Sequence, residues 1–469
     1  MSALAVHLDA DLTEPFPIGA GNVLVVTGRC HHPTRALRRL TLVVDGAAFP
    51  IVNHSCLRPE MPAQGPDANA RTSGFWVTVP FAAIAEPRRV TLALRAELDD
   101  GSVADVDAGA LELVPARPAI PAARDADALV AICLATCDPD PAFFAAQIDS
   151  LLTQTHQRWV CIVSDDGSAA ERFAAIVAAT ARDPRFTVVR NDVRLGHYRN
   201  FERALGCVPA EAGFVALSDH DDIWYPEKLA VSLAAFGPET TLVYTDMDVV
   251  AVDGRVLSRT YWTTRRNNYT DLAALVFANT VTGASTVFRT ALLAVVLPFP
   301  IRVGEAYHDH WIACAALTAG TIGYVDAPMY AYRQHADNVL GHFAPPGHRL
   351  LPKPGDVLRA LGRAGLAQRT LTTLWRLREI YDRDVVRLVV IARVLLERLR
   401  DRTTPTKRRT LEHIARLERS RIGLAREAIA AAITRRPTLG AERYCLRGAF
   451  AAWVLDRYYR WRAATGVRR

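Results

Sequence analysis

No two cysteines in this chain stand as Cys-x-x-Cys, although eight are present (Cys30, Cys56, Cys133, Cys137, Cys161, Cys207, Cys314 and Cys445). Without that spacing a structural zinc site is not expected. Several of these residues sit in apolar stretches, where a free thiol packs as a small hydrophobe, and a reducing setting fits. No apolar run reaches the about 18 residues needed to cross a bilayer. The best candidate, Val385 to Leu399, is interrupted by Arg387, Arg393 and Arg398, so no membrane span is expected. Met1 to Ala10 lack a basic start followed by an apolar run, so no secretory leader is expected there. The expected location is the cytoplasm, up to the inner face of the plasma membrane. Internal repeats and low-complexity tracts are also missing, which argues against a solenoid or an array.

What is present is ordinary globular composition, 50% hydrophobic, 22% charged and 8% aromatic. That supplies several cores, and 469 residues are long for one. The net charge of +7 is unevenly placed. From Leu351 to Arg469 there are 28 Lys+Arg against 11 Asp+Glu, a balance of +17, which leaves −10 for the rest. A basic tail behind an acidic front suits an anionic partner (a membrane surface, a phosphate-bearing acceptor or nucleic acid) or else a solvated arginine-rich helical surface.

The patterning divides the chain into three regions, and a multidomain architecture is expected with units at 1–117, 126–347 and 350–469. The first reads as strands: Asn22 to Gly28, Arg39 to Val44, Gly74 to Val79 and Arg89 to Leu98, with Asp45-Gly46 as a turn dipeptide. Short strands at this spacing predict a β-sandwich. His31, His32 and His54 lack ligand spacing and are read as ordinary loop residues. A Pro/Ala-rich stretch, Val114 to Arg124, is the expected linker. From Ala128 apolar strands alternate with helix-period faces, which predicts βαβ units in a mostly parallel sheet. After His348 long helices are expected, at Asp356 to Arg400, Lys407 to Ile433 and Glu442 to Ala463. The last carries Trp453, Tyr458, Tyr459 and Trp461 among Arg457, Arg460 and Arg462, a mixture that suits a membrane interface, a partner surface or a core.

The chemistry lies at strand ends. Leu129 to Leu134 runs into Ala135-Thr136-Cys137-Asp138-Pro139, and Trp159 to Val163 into Ser164-Asp165-Asp166-Gly167-Ser168. Phe214 to Leu217 runs into Ser218-Asp219-His220-Asp221-Asp222-Ile223-Trp224. In α/β sheets ligands sit at the carboxyl ends of strands. Clustered carboxylates there repel unless a cation is bound or one takes a proton. Hard ions such as Mg2+ or Mn2+ take carboxylate and phosphate oxygens together. Metal plus diphosphate therefore accounts for the pattern.

These segments, with Asn191, Leu195-Gly196, Asn200-Phe201-Glu202, Tyr225-Pro226-Glu227-Lys228-Leu229, Val281-Thr282-Gly283-Ala284-Ser285, His308-Asp309-His310-Trp311 and the run Tyr332 to Gly341, are ordered over roughly 215 residues. Together they resemble the inverting family 2 glycosyltransferases of GT-A fold, and within them the rhamnosyltransferase-like enzymes of bacterial polysaccharide assembly. Cys137-Asp138, His220, Ala284 and His310 depart from the usual residues. The resemblance implies a nucleotide-sugar donor and a divalent metal. It implies that Thr136 and Asp166 hold the base with Asp138 nearby, that Asn200 lies in a donor-binding loop, and that Asp219 meets the ribose or sugar. Asp221 would bind the metal with Asp222 in support and His335 at metal or diphosphate. Arg333 would offset leaving-group charge, and Asp309 would be the general base.

The physical demand agrees: displacing a nucleoside diphosphate from an anomeric carbon needs charge absorbed at the leaving group and a base at the acceptor hydroxyl. One carboxylate opposite the leaving group gives inversion, by analogy with hydrolases. His308 is a rival base, and Asp309 also suits a helix cap. The expected acceptor is a cell-surface glycan or lipid-linked saccharide. A sugar nucleotidyltransferase is an alternative, but Ala135 to Pro141 contain no Gly and no basic residue for its phosphate loop. A carbohydrate-binding or scaffold protein with a degenerate core is another; nucleic-acid binding finds no recognition-module spacing.

Overall fold

A computed structural model describes residues 4–56, 58, 70–115, 129–262, 267–304, 306–335, 373–378, 381–418, 421–438 and 441–465. Its first part contains β1 (Ala5–Leu8), β2 (Phe16–Gly19), β3 (Gly21–His31), β4 (Leu37–Val44), β5 (Ala47–Pro50), β6 (Asn53–Cys56), β7 (Gly74–Ala82), β8 (Arg88–Leu98) and β9 (Val103–Pro115). They form a four-stranded sheet, β1-β3-β7-β6, and a five-stranded one, β2-β9-β8-β4-β5. The hairpin β4–β5 closes through Asp45 and Gly46, both at positive φ, 45° and 81°. That is the backbone a two-residue primed turn needs, and Asp-Gly is the dipeptide that adopts it. On β8 the expected alternation is seen, with Val90, Leu92, Leu94 and Ala96 turned inward. Inward residues of both sheets, such as Val26 and Val77 from one and Leu42 and Leu92 from the other, share one apolar cluster.

Strand β3 is buried on both faces. Leu24 and Val26 join the cluster between the sheets, while Val23 and Val25 join the core that holds the helices further along the chain. An unbroken apolar run is what such double burial demands.

The central region carries β10 (Leu129–Thr136), α1 (Pro141–Leu152), β11 (Trp159–Asp165), α2 (Ala170–Thr180), β12 (Phe186–Arg190), α3 (Gly196–Leu205), β13 (Ala212–Asp219), β14 (Ile223–Trp224), α4 (Lys228–Ala234), β15 (Thr240–Ala251), β16 (Val256–Ser258), α5 (Leu272–Phe277), β17 (Thr286–Arg289), α6 (Leu293–Val296), α7 (His308–Ala319) and β18 (Thr321–Gln334). The sheet is nine-stranded, in the order β12-β11-β10-β13-β17-β15-β18-β14, with β16 beside β15. The mostly parallel sheet expected is corrected to a mixed one. Pairs β12–β11, β11–β10, β10–β13 and β15–β18 are parallel, whereas β13–β17, β17–β15, β18–β14 and β15–β16 are antiparallel. Apolar periodicity reports burial, not strand direction, so this inversion had no mark in the pattern. Its consequence is functional. Because β17 runs against β13, its beginning, just after Gly283–Ser285, lies at the same end as the carboxyl terminus of β13. One face of the sheet packs on α1, α2 and α4, and the other on α3, α5 and α7.

Three further helices follow: α8 (Val386–Leu399), α9 (Pro405–Ala415) and α10 (Arg421–Thr434), and then α11 (Ala441–Thr465). The expected helix Lys407 to Ile433 is corrected, since α9 gives way to a 3-10 turn at Arg416–Glu418 before α10 begins. The break sets the Glu418 carboxylate against β7 and α8, where it accepts from Thr78 Oγ1 at 3.2 Å and Arg393 Nη2 at 2.5 Å. Of the expected helix Asp356 to Arg400, residues 356–372 lie outside the described residues, as do 116–124 of the expected linker and 336–341 of the last motif. No helix among the described residues is long and apolar enough to cross a membrane.

Helix α8 is the element shared by all three regions. It packs on β3 and β7 and on α7. At its end, buried Arg398 donates from Nε to Gly21 O at 2.7 Å, from Nη1 to Val295 O at 2.6 Å and from Nη2 to Pro298 O at 2.7 Å. A guanidinium presents donors in a fixed fork, and here the fork spans three segments far apart in sequence. Replacing Arg398 by Met keeps the apolar stem and strands three buried carbonyls. The expected loss is about 3 kcal/mol in denaturant unfolding, whereas Arg400→Ala at an exposed site should stay within about 0.5 kcal/mol.

Candidate active site

The carboxyl ends of β10, β11 and β13 open on a cavity of about 910 Å³. It is closed by the start of α3, by Thr282–Ala284, by the first turn of α7 and by Tyr330, Tyr332 and His335 at the end of β18. The sheet order changes direction about β10, with β11 and β12 to one side and β13 to the other, so the cavity stands at a topological switch point.

Thr136, Asp138, Asp166, Asn200, Asp219, Asp221, Asp309 and His335 all line it. Residues from strand ends, a loop and a distant helix are thus brought together as expected. Asp222 and Arg333 do not line it. Asp222 is buried beside Lys228, which reaches across to donate to Ala284 O and lies 3.6 Å over the Trp224 ring. Arg333 is turned into the protein: its Nε donates to Asp221 O at 3.1 Å and its Nη1 to Val252 O at 3.1 Å, and its guanidinium stacks 4.3 Å over Phe143. In this position it holds the Asp221 backbone, while its contact with the leaving group stands as an expectation from the sequence.

Asn200 also differs from expectation. Its Oδ1 accepts from Ser164 Oγ at 2.7 Å and Asn191 Nδ2 at 3.0 Å, while its Nδ2 donates to Ser164 O at 2.9 Å and Thr136 O at 3.3 Å. An amide offers two donor and two acceptor positions, and all are used within the chain. Asn200 ties α3 to the ends of β10 and β11, and no hydrogen-bonding capacity is left for a donor. Asp166 is part of the same knot. Its carboxylate accepts from Asn191 Nδ2 at 3.0 Å, from Leu195 N at 2.7 Å and from Gly196 N at 2.8 Å. It occupies the amino end of α3, where free N–H groups and the helix dipole favour an anion. Thr136, by contrast, has a buried hydroxyl that finds no hydrogen-bond partner among the described residues, a polar atom suited to a ligand in the cavity.

Asp138 sits at positive φ, 46°, and accepts from Ala169 N at 2.7 Å. That hydrogen bond and its ion pair with Arg194 hold its carboxyl below the usual range. Arg194 lines the cavity, and so do His197, Tyr261 and Tyr307. None was singled out from sequence. The signal for Arg194 was its place in the loop between Asn191 and Leu195-Gly196.

The electrostatic centre is the end of β13. Asp219 is pushed up, first by burial and then by the negative charges of Asp221 and Asp309, with Lys228 pulling the other way. Asp222 is raised by burial and by Asp221 and Asp219. Three carboxylates within repulsive reach of one another call for a cation. Asp221 Oδ2 lies 2.8 Å from His335 Nε2, which makes a carboxylate–imidazole pair facing the cavity. No group of three His, Cys, Asp or Glu among the described residues is assembled as a closed metal site. Asp221 and His335 are the pair here that would be placed to hold a divalent ion.

Asp309 is in the first turn of α7, and its Oδ1 accepts from His310 N at 2.6 Å. Gly283 lies against this turn, and a Cβ there would stand 2.6 Å from His308 Nε2. Only glycine allows this approach. His308 stacks on Phe201 at 3.7 Å, and neither ring nitrogen has a hydrogen-bond partner among the described residues. Burial, with a smaller contribution from His197, holds its pKa down to about 3. A base needs an accessible lone pair and an affinity for protons near the working pH, so the site favours Asp309 over His308.

Residues 132–295 match the family model described as glycosyl transferase family 2. This stretch is similar to a family 2 glycosyltransferase domain. It contains Asp166, Asp219, Asp221 and Gly283; Asp309 and His335 fall beyond the match. The putative glycosyltransferase EpsH of Bacillus subtilis (strain 168) is 30% identical over 214 residues, which is 42% of this chain and 58% of that protein. The putative colanic acid biosynthesis glycosyl transferase WcaA of Escherichia coli (strain K12) is 31% identical over 87 residues, covering 19% of this chain and 30% of that one. The chain thus spans little more than half the length of the longer of these matches. A crystal structure of Staphylococcus aureus TarS in complex with UDP-GlcNAc is similar at a TM-score of 0.40 with 14% identity, over 71% of this chain and 92% of that one.

His310 is buried like His308, donates from Nε2 to Leu275 O at 2.9 Å, and is likewise held at about 3 by burial and then by Arg387. Both histidines bind fewer protons folded than unfolded between about pH 3 and pH 6.5. Stability should therefore be highest above about pH 6.5 and fall as pH drops through that window. His310→Gln keeps a donor for the Leu275 carbonyl and removes one titration. Urea midpoints measured from about pH 7 to pH 4.5 should decline less steeply in that variant.

Proposed function

We propose that the chain is an inverting, metal-dependent glycosyltransferase that moves a sugar from a nucleotide-sugar donor to a glycan or lipid-linked saccharide acceptor in cell-surface polysaccharide synthesis. The observation that carries this is the meeting of Asp219, Asp221 and Asp309 in one cavity at the carboxyl edge of a stretch similar to a family 2 domain. The colanic acid assignment of one relative is in keeping with a polysaccharide acceptor. The regions 1–117, 126–347 and 350–469 are proposed as the units, with the two N-terminal sheets as a sandwich on their common apolar cluster. Rhamnosyltransferase-like character rests on the motifs of the sequence alone.

In this reading Thr136 and the Asp166 loop hold the nucleotide, with Asp138 and Arg194 at its edge. Asp221 and His335 hold a divalent cation, which would absorb the charge of the departing nucleoside diphosphate. Asp309 accepts the proton of the acceptor hydroxyl as its oxygen bonds to the anomeric carbon and the bond to the diphosphate oxygen breaks. One carboxylate acting at that face, with no second nucleophile, inverts the anomeric centre. Asn200 and Arg333 fix the backbone around these groups and do not touch the donor.

Asp309→Asn keeps shape and the hydrogen bond to His310 N but removes the proton acceptor. Sugar transfer should fall about 10²- to 10⁴-fold while donor affinity stays within a few-fold. Asp221→Ala should instead weaken donor binding in the presence of Mn2+. Nucleoside diphosphate release and donor-induced thermal stabilisation with and without Mn2+ read the two effects separately. Full transferase activity in both variants would refute the mechanism.

A further inference from the structure

Helix α10 turns the wrong residues outward. Its inward stripe is Leu424, Ala428 and Ala431, whereas Ile422, Ile429 and Ile433 are exposed at 70%, 58% and 75%. With exposed Arg426 they recur at helical spacing on one stripe. Helix α11, packed against α10, repeats the inversion. Cys445, Ala449, Ala452 and Leu455 are buried, while Phe450 is 60% and Trp453 37% exposed. Phe450 and Trp453 stack on each other at 5.9 Å, and the Arg457 guanidinium lies 4.7 Å over Trp453. Arg443, Arg447 and Arg457 complete that outward stripe.

The acidic side chains described on these helices are not on the stripes. Glu427 pairs with Arg436 at 2.6 Å and with His413 at 3.0 Å, and Glu442 is buried against Thr438. Among the described residues the outward faces are thus apolar and aromatic with arginine as their charged edge, on a tail whose balance is +17 from Leu351 onward. Isoleucine, phenylalanine and tryptophan flanked by arginine are the composition of a helix face lying in the headgroup region of a bilayer. An acidic protein surface would answer the arginines but would leave water-exposed isoleucines less to enter than acyl chains do. We propose that these two helix faces rest on an anionic lipid surface. The inference extends the reading of a membrane-presented acceptor but stands on the surface itself.

Flotation of the full chain tests it, using vesicles of phosphatidylcholine alone and of phosphatidylcholine with phosphatidylglycerol, without donor or metal. The wild type should float with the anionic vesicles, weakly with the neutral ones, and less as salt rises. Phe450→Ser with Trp453→Ser, and separately Arg443→Gln with Arg447→Gln, should each lower binding about tenfold or more, with circular dichroism unchanged. Val103→Ser, an exposed apolar residue on β9, should not alter it. No flotation, or flotation indifferent to the stripe substitutions, would overturn the proposal. So would self-association in sedimentation that the same substitutions abolish without any vesicle binding, which would assign the faces to a second copy. None of these outcomes depends on transfer, so a failure here leaves the catalytic reading to its own test.

Discussion

Around the end of β13 the chain accepts a repulsion that an ordinary core would avoid, and much of the central region is arranged about it. Asp219, Asp221 and Asp309 face one cavity, and Asp222 lies buried beneath. Among the described residues the lysine set against them is Lys228, wholly buried, donating to Ala284 O and packed on Trp224 and Tyr330. Burial holds the proton affinity of Lys228 well below the ordinary lysine range, and the neighbouring Asp222 and Asp219 pull the other way. The lysine thereby joins the acidic turn to the Gly283–Ser285 element on which the first turn of α7 rests. What remains negative faces the cavity, where a cation and a phosphate ester would complete the balance.

A second layer of polar contacts separates holding from binding. Asp166, Asn191 and Asn200 hydrogen-bond one another and the ends of β10 and β11, with Asn191 Oδ1 alone unmet among the described residues, so that α3 begins at a fixed height above the cavity. Their polarity is spent on backbone groups. A buried network of this kind is stable only when each member is paired, and such pairing is also what makes it rigid. Thr136 behaves oppositely, with its hydroxyl unmet among the described residues and its methyl packed. The distinction is between residues that build the walls and residues whose capacity is still open to a ligand.

How much of this could be read from the amino acids depends on what each residue type encodes. Strand-end carboxylates were legible because Asp has no packing reason to cluster there, and of them Asp138, Asp166, Asp219 and Asp221 line the cavity while Asp165 and Asp222 do not. The alternation of β8 and the continuous run of β3 were legible because burial on one face or two leaves different patterns. Short strands such as β2, β5 and β17 carry too few residues to show a period, and direction carries none. The contacts of Arg333 with Asp221 and Val252, and of Asn200 with Thr136 and Ser164 O, were illegible for another reason: they run to backbone oxygens, which every residue possesses, so no side-chain pattern announces them. The split of the helix expected at Lys407 to Ile433 likewise arises from Glu418, whose partners Thr78 and Arg393 are distant in sequence.

Arg398 shows what such distant partners accomplish. Helix α8 is apolar enough to pack on strands of the N-terminal sheet and on α7 alike, but apolar contact is non-directional and would tolerate sliding. Three carbonyls from Gly21, Val295 and Pro298 converge on one planar guanidinium, and a fork has a single orientation that meets them all. The same core that buries Val23 and Val25 of β3 also buries Trp311 of α7, two residues beyond Asp309. The position of Asp309 therefore depends on elements outside the family 2 match. Through α8 the N-terminal sheets and the C-terminal helices fix the helix that carries Asp309.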